Sequence, residues 1–129
     1  MVEERVRVLV VDDDVLHLQL VERTLRGEKF DVQTCSNPIG VTNIVRSYQP
    51  HIVLMDVNIP ALSGDRLLGI ARKGAPAATR FFLHSASDAT TLRALAKEVQ
   101  ADGWISKDVV GAALAAKLRQ VMRTPPPVR

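Results

Sequence analysis

The strongest constraint on the fold is a regular alternation between short apolar runs and segments with helical periodicity. The runs occupy residues 6–11, 30–35, 51–56, 80–84 and 102–106. They are rich in β-branched or aromatic residues and too short for buried helices, so each predicts a strand. Strands that alternate with helices along a chain are typical of βαβ units and a parallel sheet. The sequence therefore predicts an α/β fold of five strands and five helices.

Each predicted helix carries a single apolar stripe. In the first helix the stripe contains Val15, Leu18, Val21 and Leu25. Such a stripe predicts helices that pack against the two faces of the sheet. Because parallel crossovers are right-handed, few topologies remain. We expect a doubly wound sheet with strand order 2-1-3-4-5, the flavodoxin-like (βα)5 arrangement, in which strands 1 and 3 are neighbours.

Helix boundaries carry signals of their own. Ser36-Asn37-Pro38 and Ser63-Gly64-Asp65 predict helix starts, and Gly27 and Gly74 suit C-terminal caps. We expect Asp14 either to face solvent or to cap the first helix, because acids are favoured near helix N-termini.

Length and composition limit the class of protein. The 129 residues fit one domain, and we expect it to span residues 1–123, followed by a proline-rich tail or linker start at 124–129. The single cysteine, Cys35, argues against a disulfide framework and suits a reducing cytoplasm. No segment resembles a signal peptide or approaches membrane-spanning length. We therefore expect a soluble cytoplasmic protein.

The positive charge does not indicate nucleic-acid binding. The net charge is +3, but the chain has no basic run and only one Trp, one Tyr and three Phe to serve as stacking platforms. The three histidines are weak candidates for chemistry. His17 is expected to be a surface or half-buried residue, and neither His51 nor His84 has metal-ligand company at a useful spacing.

Acidic residues follow two of the predicted strands. The run at 8–11 leads into Asp12-Asp13-Asp14, and the run at 52–55 leads into Asp56. The predicted strand order brings Asp12, Asp13 and Asp56 together at the carboxyl edge of the sheet, where ligands bind in open α/β folds. Two such charges about 4 Å apart repel by about 4 kcal/mol at an effective dielectric of about 20. A metal, a basic side chain or a raised carboxyl pKa would relieve that repulsion. The alternative at this point is that the acids are solvated loop residues that never meet.

A hydroxyl and an ammonium group end two further strands at the same edge. Ser85 follows the run Phe81-Phe82-Leu83-His84, and Lys107 follows Trp104-Ile105-Ser106. The predicted pocket therefore combines carboxylates, one hydroxyl and one amine.

These residues, in this order, resemble the receiver (CheY-like) domain of two-component response regulators. The resemblance rests on Asp12-Asp13, on Asp56 in Leu-Met-Asp-Val-Asn-Ile-Pro, on Ser85-Ala86 and on Lys107, and it covers residues 6–122. It implies that a histidine kinase or phosphotransfer protein donates a phosphoryl group to Asp56. The resulting aspartyl phosphate would later be hydrolysed. The chain would not be an enzyme beyond its own phosphorylation and dephosphorylation.

The resemblance also implies a Mg²⁺ site. Asp13 and Asp56 would ligate the ion directly, the backbone carbonyl of Asn58 would add a third protein ligand, and Asp12 would act directly or through water. Mg²⁺ prefers such hard oxygen ligands and is commonly held by one or two carboxylates plus phosphate oxygens.

Four further residues receive roles from the resemblance. Lys107 would pair with Asp56 before transfer and with a phosphoryl oxygen afterwards. Ser85 would donate its hydroxyl to the phosphoryl group, and Ser87, with Asn58, would influence how long that group survives. Trp104 is either a reporter of the Ser85 state or an aromatic that covers the sheet edge or anchors a partner.

The output surface implied by the resemblance is formed by helix 4, strand 5 and helix 5. It would bind a downstream target or a second copy of the chain in a phosphorylation-dependent homodimer, and it would include Arg93, Lys97, Trp104 and Lys117. One departure from the family pattern concerns Lys107, which is followed by Asp108 where proline is usual. We expect a trans peptide bond there, because a cis bond before a non-proline residue costs about 2.5–4 kcal/mol.

Two rival functions stay open. A haloacid dehalogenase-type phosphatase would use Asp12 as nucleophile, but it needs a further acidic pair where this chain has Ser85-Ala86-Ser87-Asp88. A receiver-like docking module that is never phosphorylated is the second rival, although the complete set of site residues argues against lost chemistry. Phosphoryl transfer to Asp56 separates all three.

Overall fold

Five parallel strands form one sheet within the residues that a computed structural model describes, namely 4–57, 69 and 72–126. The strands are β1 (Arg7–Val11), β2 (Asp31–Cys35), β3 (Ile52–Met55), β4 (Arg80–Ser85) and β5 (Gly103–Ser106). Their order, β2-β1-β3-β4-β5, confirms the predicted topology. Because β1 and β3 are neighbours, with Val11 opposite Met55, the two acidic segments start side by side.

Four α-helices have both ends in the described part of the chain, and residues 69, 72 and 73, between β3 and β4, are also helical. The four helices are α1 (Val15–Gly27), α2 (Val41–Tyr48), α3 (Ala89–Val99) and α4 (Gly111–Arg123), with a short 3-10 helix (Pro38–Gly40) before α2. The predicted start Ser63-Gly64-Asp65 lies outside the described residues. Helices 4 and 5 of the prediction are therefore α3 and α4. None of these helices is both long enough and apolar enough to span a bilayer.

The strands are apolar throughout because both faces of the sheet are covered. Alternate residues of a strand point to opposite faces. In β1, Val8 and Val10 join the core under α1 and α4, whereas Leu9 and Val11 join the core under α2 and α3. All four are essentially inaccessible to solvent. A sheet buried on both sides explains continuous apolar runs where an exposed face would give alternation.

The N-terminal caps of α1 and the 3-10 helix agree with the sequence signals, whereas the predicted C-terminal cap of α1 does not. The Asp14 carboxylate caps α1 by accepting from the His17 backbone N–H at 3.2 Å, and Asn37 caps the 3-10 helix in the same way. The predicted cap at Gly27 is wrong, because α1 includes Gly27 and has Glu28 as its cap. The residue in the left-handed region is Lys29, with φ of 70°.

A close backbone approach occurs where β4 meets the edge strand β5. Phe82 lies opposite Gly103, and a Cβ atom on Gly103 would stand 2.7 Å from the edge of the Phe82 ring. Glycine is the residue that lets the ring lie over the strand at this point.

Candidate functional site

The carboxyl edge of the sheet gathers the predicted acids into one pocket. Backbone hydrogen bonds continue the sheet ladder past the strand ends: Asp12 N–H donates to Cys35 O at 3.1 Å, and Asp56 N–H donates to Val11 O at 2.9 Å. Carboxylate oxygens of Asp12, Asp13 and Asp56 lie within 4.8 Å of one another. The predicted juxtaposition of these acids is confirmed.

The three acids differ in exposure. Asp12 and Asp56 retain 1% and 4% of their accessible surface, whereas Asp13 is exposed. The pocket therefore has a buried floor made by Asp12 and Asp56, and Asp13 stands at its mouth.

Lys107 places a positively charged ammonium group in this pocket. Its backbone N–H donates to Ser85 O at 2.8 Å, which holds the residue at the end of β5. Its Nζ atom lies 2.7 Å from Asp12 Oδ2 and 3.6 Å from Asp56 Oδ2. The ammonium group thus contacts both buried acids, and Asp12 rather than the expected Asp56 is the closer one. The Lys107–Asp108 peptide bond is trans, as predicted.

The environment of Asp12 favours its charged form. Burial alone would raise the pKa of this carboxyl, but the hydrogen bond and charge of Lys107 and the backbone N–H of Asp14 lower it. The Asp14 N–H donates to Asp12 Oδ1 at 2.9 Å. The net effect is a pKa below the usual range for aspartate, so Asp12 is ionised at neutral pH.

The donor set of the pocket fits a divalent cation. Three carboxylates and one ammonium leave two negative charges uncompensated when all four groups are ionised. Carboxylate oxygens are the ligands that Mg²⁺ and Ca²⁺ select. Asp12, Asp13 and Asp56 are the described residues able to hold such an ion, and the predicted ligand Asn58 lies outside the described residues.

Ser85 lies at the end of β4 and is fully buried. Its hydroxyl is engaged by the loop that follows, because Ser85 Oγ donates to Ser87 Oγ at 3.2 Å and accepts from the Ser87 backbone N–H at 3.2 Å. Ser87 is partly exposed. The two serines of the prediction are therefore partners of one another in this structure.

Trp104 lies in the edge strand β5, three residues before Lys107. It is partly buried and packs against the core under α2 and α3. This position is compatible with both predicted roles, reporter and partner contact, and does not choose between them.

Beside the predicted site residues, the structure places two histidines in direct contact. His17 Nε2 and His84 Nε2 are 2.9 Å apart, and His84 Nδ1 lies 3.1 Å from Ile105 O. His84 retains 1% of its accessible surface, and this burial lowers its pKa to about 4. Sequence reasoning missed the pair. The available signal was a polar residue at the end of the apolar run 81–84, which requires a hydrogen-bond partner when buried.

A family model described as the response regulator receiver domain matches residues 8–119. A curated relative, the DNA-binding response regulator MtrA of Mycolicibacterium paratuberculosis, is 30% identical over 119 residues, which cover 92% of this chain and 52% of MtrA. The chain thus spans about half the length of this relative.

Solved structures show the same fold. The chemotaxis protein CheY4 of Vibrio cholerae aligns with a TM-score of 0.81 at 22% identity, over 92% of this chain and 99% of that chain. The BeF3-activated N-terminal receiver domain of RstA from Klebsiella pneumoniae aligns with a TM-score of 0.79 at 24% identity, over the same shares of the two chains.

Proposed function

The chain belongs to the family of response regulator receiver domains, and from this premise we propose that it is a phosphorylation-dependent switch with Asp56 as phosphoacceptor. The observation that carries the proposal is the position of Asp56. Its carboxylate is buried at the end of β3, 3.6 Å from the Lys107 ammonium and within 4.8 Å of the oxygens of Asp12 and Asp13. An anionic nucleophile that attacks an anionic donor needs such positive charge beside it.

The proposed reaction is a phosphoryl transfer. An Asp56 carboxylate oxygen forms a bond to phosphorus while the P–N bond of a phosphohistidine donor breaks, and its electron pair remains on the imidazole nitrogen. Lys107 balances negative charge on the phosphoryl oxygens from the side of Asp12. Bound at Asp12, Asp13 and Asp56, Mg²⁺ would supply charge neutralisation for the incoming phosphoryl group.

We propose that Ser85 converts this chemistry into a conformational change. The phosphoryl group brings about −1.5 to −2 charges and three acceptor oxygens. In this structure the Ser85 hydroxyl donates to the Ser87 hydroxyl oxygen, a neutral acceptor. After phosphorylation it would donate to a charged phosphoryl oxygen instead. Hydrogen bonds to charged groups contribute about 1.5–3 kcal/mol, compared with about 0.5–1.5 kcal/mol for neutral ones. The loop after β4 would move with the hydroxyl, and Ser87, released from it, would face the phosphoryl group and affect its lifetime.

The proposed donor is a histidine kinase or phosphotransfer protein. The start of α1, which follows the acidic segment directly, presents Val15, Leu16 and Leu20 at 53%, 77% and 53% exposure. Leu16 and Leu20 share one side of the helix, because residues four apart are neighbours on a helix surface. Exposed apolar groups beside a reactive pocket suit contact with the protein that delivers the phosphoryl group.

The proposed output surface is the one formed by α3, β5 and α4. Arg93, Lys97 and Lys117 are exposed on it, and Trp104 lies in its edge strand. It would bind a downstream protein or a second copy of the chain. MtrA is a DNA-binding regulator, but this chain matches only half of it, and we propose no direct nucleic-acid contact for these residues. A cytoplasmic location is part of the same proposal.

Two features favour a switch over a phosphatase with Asp12 as nucleophile. Asp12 Oδ1 accepts from Asp14 N–H, and Asp12 Oδ2 faces Lys107 at 2.7 Å. Both oxygens are therefore engaged on a side chain with 1% exposure. We accordingly propose that the chain turns over no substrate other than its own phosphoryl group.

The test is intact mass spectrometry after incubation with acetyl phosphate, with and without Mg²⁺. We expect one phosphoryl group to be added to wild type only with Mg²⁺ and none to Asp56→Asn. Asp31→Asn is the matched control, because it removes an exposed carboxylate at the start of β2 and should leave the mass gain intact.

Each contrary outcome has a distinct meaning. A mass gain that survives Asp56→Asn would assign the acceptor elsewhere. Phosphate release lost in Asp12→Asn but not in Asp56→Asn would indicate the phosphatase. No mass gain in wild type would indicate a docking module that is not phosphorylated.

A further inference from the structure

The contact between His17 and His84 fixes which ring nitrogen donates and which accepts. The carbonyl of Ile105 can only accept, so His84 Nδ1, at 3.1 Å from it, must carry a hydrogen. Neutral His84 then has a bare Nε2. Because His17 Nε2 lies 2.9 Å from that atom, it must donate. The burial that lowers the pKa of His84 keeps its ring neutral at physiological pH.

The hydrogen-bond chain from His17 to Ile105 connects elements on opposite sides of the acidic pocket. At one end is α1, whose cap Asp14 also donates its backbone N–H to Asp12. At the other end are β4 and β5, where His84 lies opposite Ile105 and Ser85 lies opposite Ser106. His84 directly precedes Ser85 in the sequence, and Ile105 is two residues before Lys107.

We propose that the His17–His84 contact is a positioning link, which holds the half of the pocket that carries Asp12 and Asp13 at a fixed distance from the half that carries Ser85 and Lys107. Neither histidine touches the reacting atoms in this role. The inference rests on the proposed phosphorylation of Asp56, whose state it would tune.

The two halves of the pocket have different tasks, so the link acts selectively. A divalent cation alone needs the carboxylates at the ends of β1 and β3. A phosphoryl group needs these and, in addition, the hydroxyl and ammonium groups at the ends of β4 and β5. Loss of the link should therefore weaken phosphoryl binding more than cation binding.

The principal test is His17→Leu, because His17 is half-buried and leucine fills a similar space. Calorimetry would measure the affinity for Mg²⁺ and, at saturating Mg²⁺, the affinity for beryllofluoride as a phosphoryl mimic. We expect beryllofluoride to bind about fivefold more weakly, the factor for one neutral hydrogen bond. The affinity for Mg²⁺ should change by less than about twofold.

Two further variants separate positioning from general stability. His17→Gln keeps a side-chain N–H that can donate to His84 and should restore most of the beryllofluoride affinity. His51→Leu is the matched control: His51 Nδ1 accepts from the Arg7 backbone N–H at 2.9 Å at the opposite edge of the sheet. His51→Leu should lower the stability of the protein without weakening beryllofluoride binding more than Mg²⁺ binding.

Nitrogen NMR of the imidazoles tests the hydrogen-bond directions on which the link depends, namely donation from His84 Nδ1 to Ile105 O and from His17 Nε2 to His84 Nε2. We expect His84 to be the Nδ1–H tautomer and His17 to carry a hydrogen on Nε2. The opposite tautomer of His84, or affinities in His17→Leu that match those of His51→Leu, would overturn the link. Failure of wild type to bind beryllofluoride in the presence of Mg²⁺ would instead overturn the proposed function.

Discussion

Mild acid should destabilise this protein through His84. The ring retains 1% of its accessible surface, donates from Nδ1 to Ile105 O and accepts from His17 at Nε2. A protonated ring would present a second N–H to His17 and place a charge in the core. Burial accordingly lowers the pKa of His84 to about 4, whereas an unfolded chain would show about 6.5.

The sign and size follow from linkage. Between these two pKa values the unfolded chain binds more protons than the folded one, so stability rises with pH. The contribution of neutral His84 is fully present above about pH 6.5 and is lost progressively as the pH falls towards 4. At about pH 4.5 the loss is about 2–3 kcal/mol, since one pKa unit corresponds to about 1.4 kcal/mol.

Other groups act in separable ways. The pKa of Asp12 is held below its usual value, so its stabilising charge is lost only in stronger acid, below the window of His84. The pKa of His51 is also lowered, chiefly by burial, and its effect has the same sign as that of His84. The comparison therefore needs variants of both histidines.

The assay is urea unfolding of wild type, His84→Gln and His51→Gln at about pH 7.5 and 4.5. For small domains the free energy of unfolding falls by about 1–3 kcal/mol per molar urea, so the wild-type midpoint should fall by about 1–2 M. His84→Gln should be less stable at pH 7.5 but lose much less on acidification, whereas His51→Gln should retain most of the wild-type fall. An equal fall in wild type and His84→Gln would refute the reasoning.

Three further outcomes follow from contacts described above. Lys107→Ala removes the ammonium group 2.7 Å from Asp12, so calorimetry should show Mg²⁺ binding on the order of tenfold more tightly. Acetyl phosphate should no longer phosphorylate the variant efficiently. An unchanged Mg²⁺ affinity would contradict this prediction. Gly103→Ala drives a methyl into the Phe82 ring and should cost about 1–3 kcal/mol in urea unfolding, with partial recovery in a Phe82→Leu background; equal costs in both backgrounds would count against the clash. Asp14→Ala removes the cap of α1 and should cost about 1 kcal/mol without altering Mg²⁺ affinity, because only the backbone of Asp14 contacts Asp12.

The topology was predictable because burial on both faces of the sheet leaves a strong signal. The continuous apolar runs that end at Val11 and Met55 mark buried parallel strands, and the right-handed crossover rule supplies their order. The meeting of Asp12 with Asp56 then follows from topology alone. The end of α1 was not predictable in the same way, because Glu28 and Lys29 close the helix without glycine.

The contacts inside the site depend on side-chain geometry that a pattern does not encode. Lys107 reaches both Asp12 and Asp56, and the closer partner is decided by less than one ångström. The pairing of His17 with His84 requires a side chain near the start of α1 to reach the end of β4, which no short motif encodes. The predicted ligand Asn58 lies outside the described residues, and the functional roles of all site residues stay predictions.

Cys35 provides an intrinsic probe of local opening in this protein. It is the only thiol of the chain, it is buried, and its Sγ donates to Asn37 O at 2.9 Å while its carbonyl accepts from the Asp12 N–H. Because Cys35 retains only 7% of its accessible surface, we expect a thiol reagent to react mainly after the corner between β2 and the 3-10 helix opens. The labelling rate of wild type therefore reports the free energy of local opening beside the acidic pocket, without any engineered label.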